Sequence, residues 1–130
     1  MINFTKMHGL GNDFVIMNNI DVDISLSIYE IRKLSDRRFG IGFDQLLMVE
    51  SATSKEADFR YVIFNADGSE VSQCGNGARC FALYIQKKNL SYKNTLTVET
   101  NAGVLVLNIN HDYSVTVDMG LLTLNLQKYH

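Results

Sequence analysis

The residues best suited to chemistry lie in segment 65–79, whose sequence is NADGSEVSQCGNGAR. Cys74 stands directly before a glycine pair, Gly75 and Gly77, where we predict that a buried helix begins. The first turn of a helix presents unpaired N–H groups and a partial positive charge, which stabilise a thiolate and lower its pKa below about 8.5. The same N–H groups can bind a carboxylate, because glycine lets a ligand approach the backbone. The segment therefore offers a base beside an anion-binding backbone.

A thiolate beside a bound carboxylate is compatible with two reactions. Attack on an acyl carbon would need a histidine base, and His8, His111 and His130 lie in no supporting motif. Proton abstraction from the carbon next to the carboxylate needs only a base and N–H donors that stabilise the enolate-like charge. Racemisation or epimerisation follows if a second acid lies on the opposite face. The spacing favours a catalytic role for Cys74, whereas Cys80 is interpreted as a small buried hydrophobic residue.

Six of the nine glycines form three G-x-G pairs, and polar residues flank each pair. The pairs are Gly9 and Gly11, Gly40 and Gly42, and Gly75 and Gly77, with Asn12, Asp13, Asp44 and Asn76 beside them. Each pair taken alone is typical of an ordinary turn.

Hydrophobic periodicity and turn residues predict seven strands and two helices. The strands are expected at 4–7, 14–17, 45–50, 59–64, 95–100, 104–109 and 114–119, and the helices at 27–38 and 78–88. Ser27 and Glu30 have the spacing of a capping box at the start of the first helix, and Arg37 near its end is predicted to face water. The second helix is apolar on nearly every side, which is typical of an interior position. The polar stretch 51–56 is interpreted as a surface turn without function.

These elements predict the α+β class, with a mostly antiparallel sheet curled around one buried central helix. A length of 130 residues is close to one domain. A net charge of −2 argues against a nucleic-acid partner, while 46% hydrophobic and 20% charged residues indicate a globular core.

Membrane and secretory roles are not expected. No apolar run approaches about 18 residues, and residues 1–6 lack the pattern of a signal peptide, so the expected location is the cytoplasm. Two cysteines with five residues between them are too few for a disulfide framework and match no zinc pattern, so we expect no metal.

Three separated motifs carry a resemblance to a known family. Segment 65–79 resembles the diaminopimelate epimerase signature N-x-D-G-S-x4-C-G-N-G-x-R, and segments 6–14 (KMHGLGNDF) and 37–45 (RRFGIGFDQ) resemble that family's other N-terminal motifs. The resemblance covers the chain to about Met119. It implies a cofactor-independent epimerase that interconverts LL- and meso-diaminopimelate, with no pyridoxal phosphate.

The resemblance also implies roles for particular residues. Cys74 matches the first of two catalytic cysteines that exchange thiolate and thiol roles across the substrate α-carbon. The matches to substrate-binding residues are Asn12, Gln45 and Asn65, together with Gly75 and Asn76 as the backbone clamp for the α-carboxylate. Amide side chains can orient a zwitterionic amino acid without acting as acids or bases. Asp67 and Arg79 also belong to the signature and are interpreted as local structural hydrogen-bonding residues.

The resemblance covers only one half of the family's fold. The family is built from two similar halves with the site between them, and the second cysteine belongs to the half beyond this chain. A proline usually follows the Met-Gly that corresponds to Met119 and Gly120, whereas Leu121 follows here. We therefore predict an epimerase domain at 1–120, a tail of undefined structure at 121–130, and weak or no epimerisation without the C-terminal half.

Two alternatives remain open at this point. The chain could be a non-catalytic assembly module that pairs with a second copy through an apolar face and the leucine-rich tail, and a homodimer is expected in either case. It could also be a related cofactor-independent racemase or isomerase, of the proline racemase or phenazine type.

Overall fold

The computed structural model describes residues 3–9, 11–71 and 75–118. In chain order the elements of this part are β1 (Phe4–Gly9), β2 (Asn12–Asn18), α1 (Ile28–Ser35), β3 (Gln45–Ser51), β4 (Phe59–Asn65), α2 (Gly75–Lys87), β5 (Thr95–Thr100), β6 (Gly103–Ile109) and β7 (Val115–Asp118). Each predicted strand and helix corresponds to one of them. The predicted tail at 121–130 and the domain limit at residue 120 lie outside the described residues.

The strands form one mixed sheet in the order β1-β2-β3-β4-β5-β6-β7. The pairs β2–β3 and β4–β5 are parallel, and the other four pairs are antiparallel. Each parallel pair is joined by a connection that contains a helix, as parallel pairing requires. Helix α2 contacts β1, β2 and β3 as well as β6 and β7, so the sheet is curled. The fold class is α+β, as the sequence predicts.

Helix α2 packs on one face of the sheet. Its buried residues share a single hydrophobic cluster with side chains from β2 to β6. From α2 the cluster contains Ala78, Cys80, Phe81, Ala82, Tyr84 and Ile85, each no more than 4% exposed. Phe81 lies between the rings of Phe59 and Tyr61, with centroids 5.9 and 4.9 Å away. The apolar sequence of this helix is explained by that contact.

Helix α1 covers the opposite face of β2 and β3. Ile31 packs with Phe43 and with strand residues that alternate with those of the α2 face. The capping box predicted from Ser27 and Glu30 is confirmed, because the Ser27 hydroxyl accepts from the Glu30 N–H and the Glu30 carboxylate accepts from the Ser27 N–H. The strands are therefore buried on both sides where they approach the candidate site.

The first helix ends earlier than the sequence predicts. It stops at Ser35 rather than at residue 38, because Asp36 adopts an extended conformation and its carboxylate accepts the N–H groups of Arg38 and Phe39. Aspartate competes with helical hydrogen bonding in this way when it can bind the backbone of a following turn. Arg37 is exposed, as predicted, and it also binds two carboxylates described below.

The second helix begins three residues earlier than predicted, at Gly75, and ends at Lys87. Asn89 follows with a φ of 55°, which is the left-handed conformation that commonly ends a helix.

The polar loop 51–56 has a structural role that its composition does not indicate. The Glu99 side chain is only 8% exposed and accepts hydrogen bonds from the N–H groups of Thr53 and Ser54 and from the Thr53 hydroxyl. These donors lower the pKa of Glu99, with the Thr53 backbone N–H as the largest cause. The loop is therefore fixed to the C-terminal end of β5.

No helix within the described residues has both the length and the apolar character needed to cross a membrane.

Candidate active site

Three side chains that the sequence predicts to bind substrate lie at one edge of the sheet. Asn12 is the first residue of β2, Gln45 is the first of β3, and Asn65 is the last of β4. Since β2 and β3 are parallel and β4 is antiparallel to β3, these three positions come to the same edge. The register pairs Phe14 with Gln45 and Gln45 with Asn65. The Gln45 Nε2 donates to Asn65 Oδ1 at 3.2 Å.

The same three positions face α2. Phe14, Leu47 and Ile63 belong to the cluster that packs against α2. Side chains two residues apart on a strand lie on the same face. Asn12 precedes Phe14 by two residues, Gln45 precedes Leu47 by two, and Asn65 follows Ile63 by two. All three amides are therefore on the α2 face, and each is half-buried.

The first turn of α2 lies next to this amide group. A Cβ atom built on Gly77 would be 2.2 Å from Ile63 Cδ1 and 3.5 Å from Leu47 Cδ1. Leu47 and Ile63 are paired across β3 and β4, one repeat further along the strands than the Gln45–Asn65 pair. One repeat of two residues is about 7 Å. Glycine at position 77 thus allows the helix to begin in direct contact with the sheet beside the amides.

Cys74 lies outside the described residues, so its predicted catalytic role stays a prediction. Helix α2 begins at the next residue in the chain, and Gly75 and Asn76 are its first two residues. The first N–H groups of a helix have no intrahelical partner and carry the positive end of the macrodipole. The sequence therefore places the thiol at the kind of helix start that the chemical argument requires.

The turn after β4 fixes the end of that strand. Asn65 binds Ser69 through two hydrogen bonds, from backbone N–H to carbonyl at 2.7 Å and from Nδ2 to Oγ at 3.1 Å. The Asp67 carboxylate accepts from the Ser69 hydroxyl and N–H, which lowers the pKa of Asp67. Asp67 acts as a local structural residue, as expected, whereas Arg79 is exposed on α2.

A network that sequence reasoning missed joins the starts of β2 and β3. Arg37 Nη1 binds Asp13 Oδ2 at 2.9 Å, and Arg37 Nη2 binds Asp44 Oδ1 at 3.1 Å. The Arg37 hydrogen bond is the largest cause that lowers the pKa of Asp13. One feature of the sequence pointed to this network: Asp13 directly follows Asn12, and Asp44 directly precedes Gln45.

Other reactive groups in the described part do not form a second centre. Cys80 is buried, and desolvation raises the pKa of its thiol. Among residues 3–9, 11–71 and 75–118, no three histidine, cysteine or carboxylate side chains are grouped so that they could hold a metal ion.

Comparison with known proteins gives a family match along most of the chain. The family model described as diaminopimelate epimerase matches residues 4–124. A curated relative named diaminopimelate epimerase, from Vesicomyosocius okutanii subsp. Calyptogena okutanii (strain HA), is 54% identical over 125 residues. That alignment covers 96% of this chain and 46% of the relative, so the chain spans about half the length of the relative.

Solved structures of related architecture share the fold at low sequence identity. A hydroxyproline epimerase from Agrobacterium vitis, with bound trans-4-hydroxy-L-proline, matches with a TM-score of 0.67 at 13% identity, over 89% of this chain and 40% of its own. A PhzF-family phenazine biosynthesis protein from Bacillus anthracis matches with a TM-score of 0.65 at 24% identity, over 89% of this chain and 39% of its own. At these identities the likeness concerns the fold alone.

Proposed function

Because this chain belongs to the diaminopimelate epimerase family, we propose that it forms the first half of a cytoplasmic enzyme that interconverts LL- and meso-diaminopimelate without a cofactor. The chain corresponds to 46% of its relative's length, which fits one of two halves. In this proposal α2 is the central helix around which the half-barrel closes.

The proposed base is Cys74. Its thiolate takes the α-proton of the substrate, the electron pair of the C–H bond moves into the α-carboxylate, and an acid on the opposite face gives a proton to the same carbon. The reverse reaction uses the resulting Cys74 thiol as the acid. Residues 75 and 76 support this role because they form the first turn of α2. Their N–H groups are the donors proposed to hold the carboxylate as its negative charge increases.

The main support for the proposal is that three side-chain amides lie next to the start of α2. Asn12, Gln45 and Asn65 share one edge and one face of the sheet, and α2 begins over the adjacent Leu47–Ile63 pair. Carboxamides both donate and accept hydrogen bonds, and they stay neutral at all working pH values. They therefore suit a substrate that carries ammonium and carboxylate groups but must exchange its proton only with the thiol.

The opposite acid is proposed to come from the second half of the enzyme. In the described part the other cysteine, Cys80, lies in α2 beneath the sheet and is 1% exposed. A buried thiol in that position has no access to the far face of a substrate bound at the helix start. Epimerisation by the chain alone is therefore expected to be weak or absent.

An exchange assay tests the proposal. Diaminopimelate in D2O is incubated with the chain, with and without a separately made C-terminal half, and loss of the α-proton signal is followed by NMR. We expect exchange only with both halves present, no exchange with Cys74→Ala, and exchange retained with the matched variant Cys80→Ala. Exchange that persists in Cys74→Ala would remove the proposed base.

Substrate class is tested in the same assay. The 54% identical relative supports diaminopimelate, whereas the hydroxyproline epimerase and the PhzF-family protein resemble this chain in fold only. Exchange at the α-carbon of 4-hydroxyproline but not of diaminopimelate would favour the related racemase class.

Self-association remains a separate proposal. The leucine-rich segment 121–126, which the sequence suggests as part of a dimer surface, lies outside the described residues. Light scattering at high concentration should show a dimer, and a monomer would contradict the proposal.

A further inference from the structure

We propose that Arg37 is a positioning residue that sets the spacing of the substrate-binding amides Asn12 and Gln45 by holding Asp13 and Asp44 together. This inference rests on the proposed function for its consequence, but its geometric content can be tested without it. Arg37 itself makes no proposed contact with substrate.

Hydrogen bonds and ion pairs connect the starts of β2 and β3 in both directions. The Asp44 carboxylate accepts the Asp13 backbone N–H at 2.8 Å, and the Asp44 backbone N–H donates to the Asp13 carbonyl at 3.1 Å. The Arg37 guanidinium then bridges the two carboxylates, with one nitrogen on each. His8, opposite Asp13 on β1, places Nδ1 2.5 Å from the remaining Asp13 oxygen. Three segments that are distant in sequence are thereby joined at one edge.

The network lies on the side of the sheet away from the amides. Asn12 faces α2, so the next residue, Asp13, faces the α1 side. Arg37 follows the end of α1 and reaches the sheet from that side. The guanidinium is thus separated from the proposed substrate position by the strands themselves. Its influence on the amides must pass through the backbone of residues 12–13 and 44–45.

The loop that carries Arg37 is built to hold it there. Gly42 has a φ of +82°, and a Cβ atom on it would be 3.1 Å from Arg37 Cα and 3.2 Å from Arg37 Cγ. The Gly42 N–H donates to the Leu34 carbonyl at the end of α1. Glycine at position 42 therefore lets the loop pass closely beneath Arg37.

We expect this network to fix the spacing of the β2 and β3 starts rather than to add folding stability. Arg37 is 54% exposed, and exposed ion pairs contribute little to folding stability. A guanidinium that binds two fixed carboxylates, however, imposes a geometry that a flexible ammonium cannot. Arg37→Gln should accordingly leave the chain folded while loosening the junction between the two strands.

Amide hydrogen exchange and side-chain NMR of the isotopically labelled chain test this inference. In Arg37→Gln we expect the Asp13 N–H to exchange about tenfold faster, as follows from weakening a hydrogen bond to a charged group. The side-chain NH2 signals of Asn12 and Gln45 should move further than that of Asn65, whose Nδ2 donates to the Ser69 hydroxyl. Arg38→Gln is the matched control: it removes the same charge one residue later, where the guanidinium lies over the Phe39 ring.

Titration with diaminopimelate then connects the junction with binding. We expect about tenfold weaker binding in Arg37→Gln than in Arg38→Gln, and Arg37→Lys should recover less than half of the loss. Equal Asp13 exchange in the two glutamine variants would overturn the inference. Absence of diaminopimelate binding by the wild-type chain would instead count against the proposed function, and the exchange result would still decide the role of Arg37.

Discussion

Replacing Gly77 with alanine tests whether the start of α2 must touch the sheet. The backbone at this position is helical, so alanine itself should favour the helix by up to about 1 kcal/mol. The new methyl group, however, would lie 2.2 Å from Ile63 Cδ1, far inside any real carbon–carbon contact. Ile63 is 2% exposed and packed within the main cluster, so its side chain has little room to move.

The magnitude follows from these opposing effects. Overpacking in a well-packed core costs roughly 1–3 kcal/mol. Against a helix-propensity gain of about 1 kcal/mol, Gly77→Ala should lower the free energy of unfolding by about 1 kcal/mol. Ile63→Val removes the clashing Cδ1 atom, at its own cost of roughly 0.5–1.5 kcal/mol. In that background the Gly77→Ala change should become neutral or stabilising by up to about 1 kcal/mol, which corresponds to a coupling energy of about 1–2 kcal/mol.

Urea unfolding followed by far-UV circular dichroism measures all four members of this cycle. Ile16→Val is the matched control, because Ile16 lies in the same cluster but is not among the side chains nearest to Gly77. It should give no rescue of Gly77→Ala. If Gly77→Ala is at least as stable as the wild type, or if both valine backgrounds rescue it equally, the close approach of α2 to the Leu47–Ile63 pair is refuted.

Three further outcomes are expected. Iodoacetamide should modify Cys74 in the native chain at neutral pH and Cys80 only after unfolding, since burial raises the pKa of Cys80; mass spectrometry that finds both thiols modified in the native state would contradict this. Hydrogen bonds lower the folded-state pKa of Glu99. The stabilisation from its ionised carboxylate is therefore complete above the pKa that Glu99 has in the unfolded chain, and it is lost as the pH falls through the lower, folded-state pKa. Thermal unfolding of Glu99→Gln should therefore show lower stability at pH 7 and a shallower decline in acid, whereas parallel pH curves for variant and wild type would argue against it. Ser27→Ala should cost about 1 kcal/mol through loss of the cap, with Ser25→Ala as a neutral control.

The order of the elements could be predicted from the sequence because it depends on local patterns. Short apolar runs between polar or turn residues predict β3 and β4, and the capping box locates the start of α1 within one residue. These signals come from groups close together in the chain, so they survive without knowledge of the tertiary structure.

Features that depend on partners distant in sequence were not predicted. Arg37 binds carboxylates 24 and 7 residues away in the chain. Glu99 is buried because a loop 46 residues earlier supplies its donors. From the sequence alone, a charged residue in a polar segment is interpreted as solvated. Only the tertiary structure shows that it has a hydrogen-bond or ion-pair partner.

Under the proposed function, the arrangement of the candidate site implies that substrate binding and epimerisation are separable in this chain. The contacts that align Asn12, Gln45 and Asn65 come from β2, β3 and β4, and the contact that locates the start of α2 comes from Leu47 and Ile63. All of them lie within residues 12–77, so they need nothing from the second half. A site aligned before its ligand arrives avoids the cost of ordering those groups on binding. If the proposed function holds, the isolated chain should therefore bind diaminopimelate measurably while failing to epimerise it, because the proposed binding groups are held in this half whereas epimerisation also needs an acid from the opposite side.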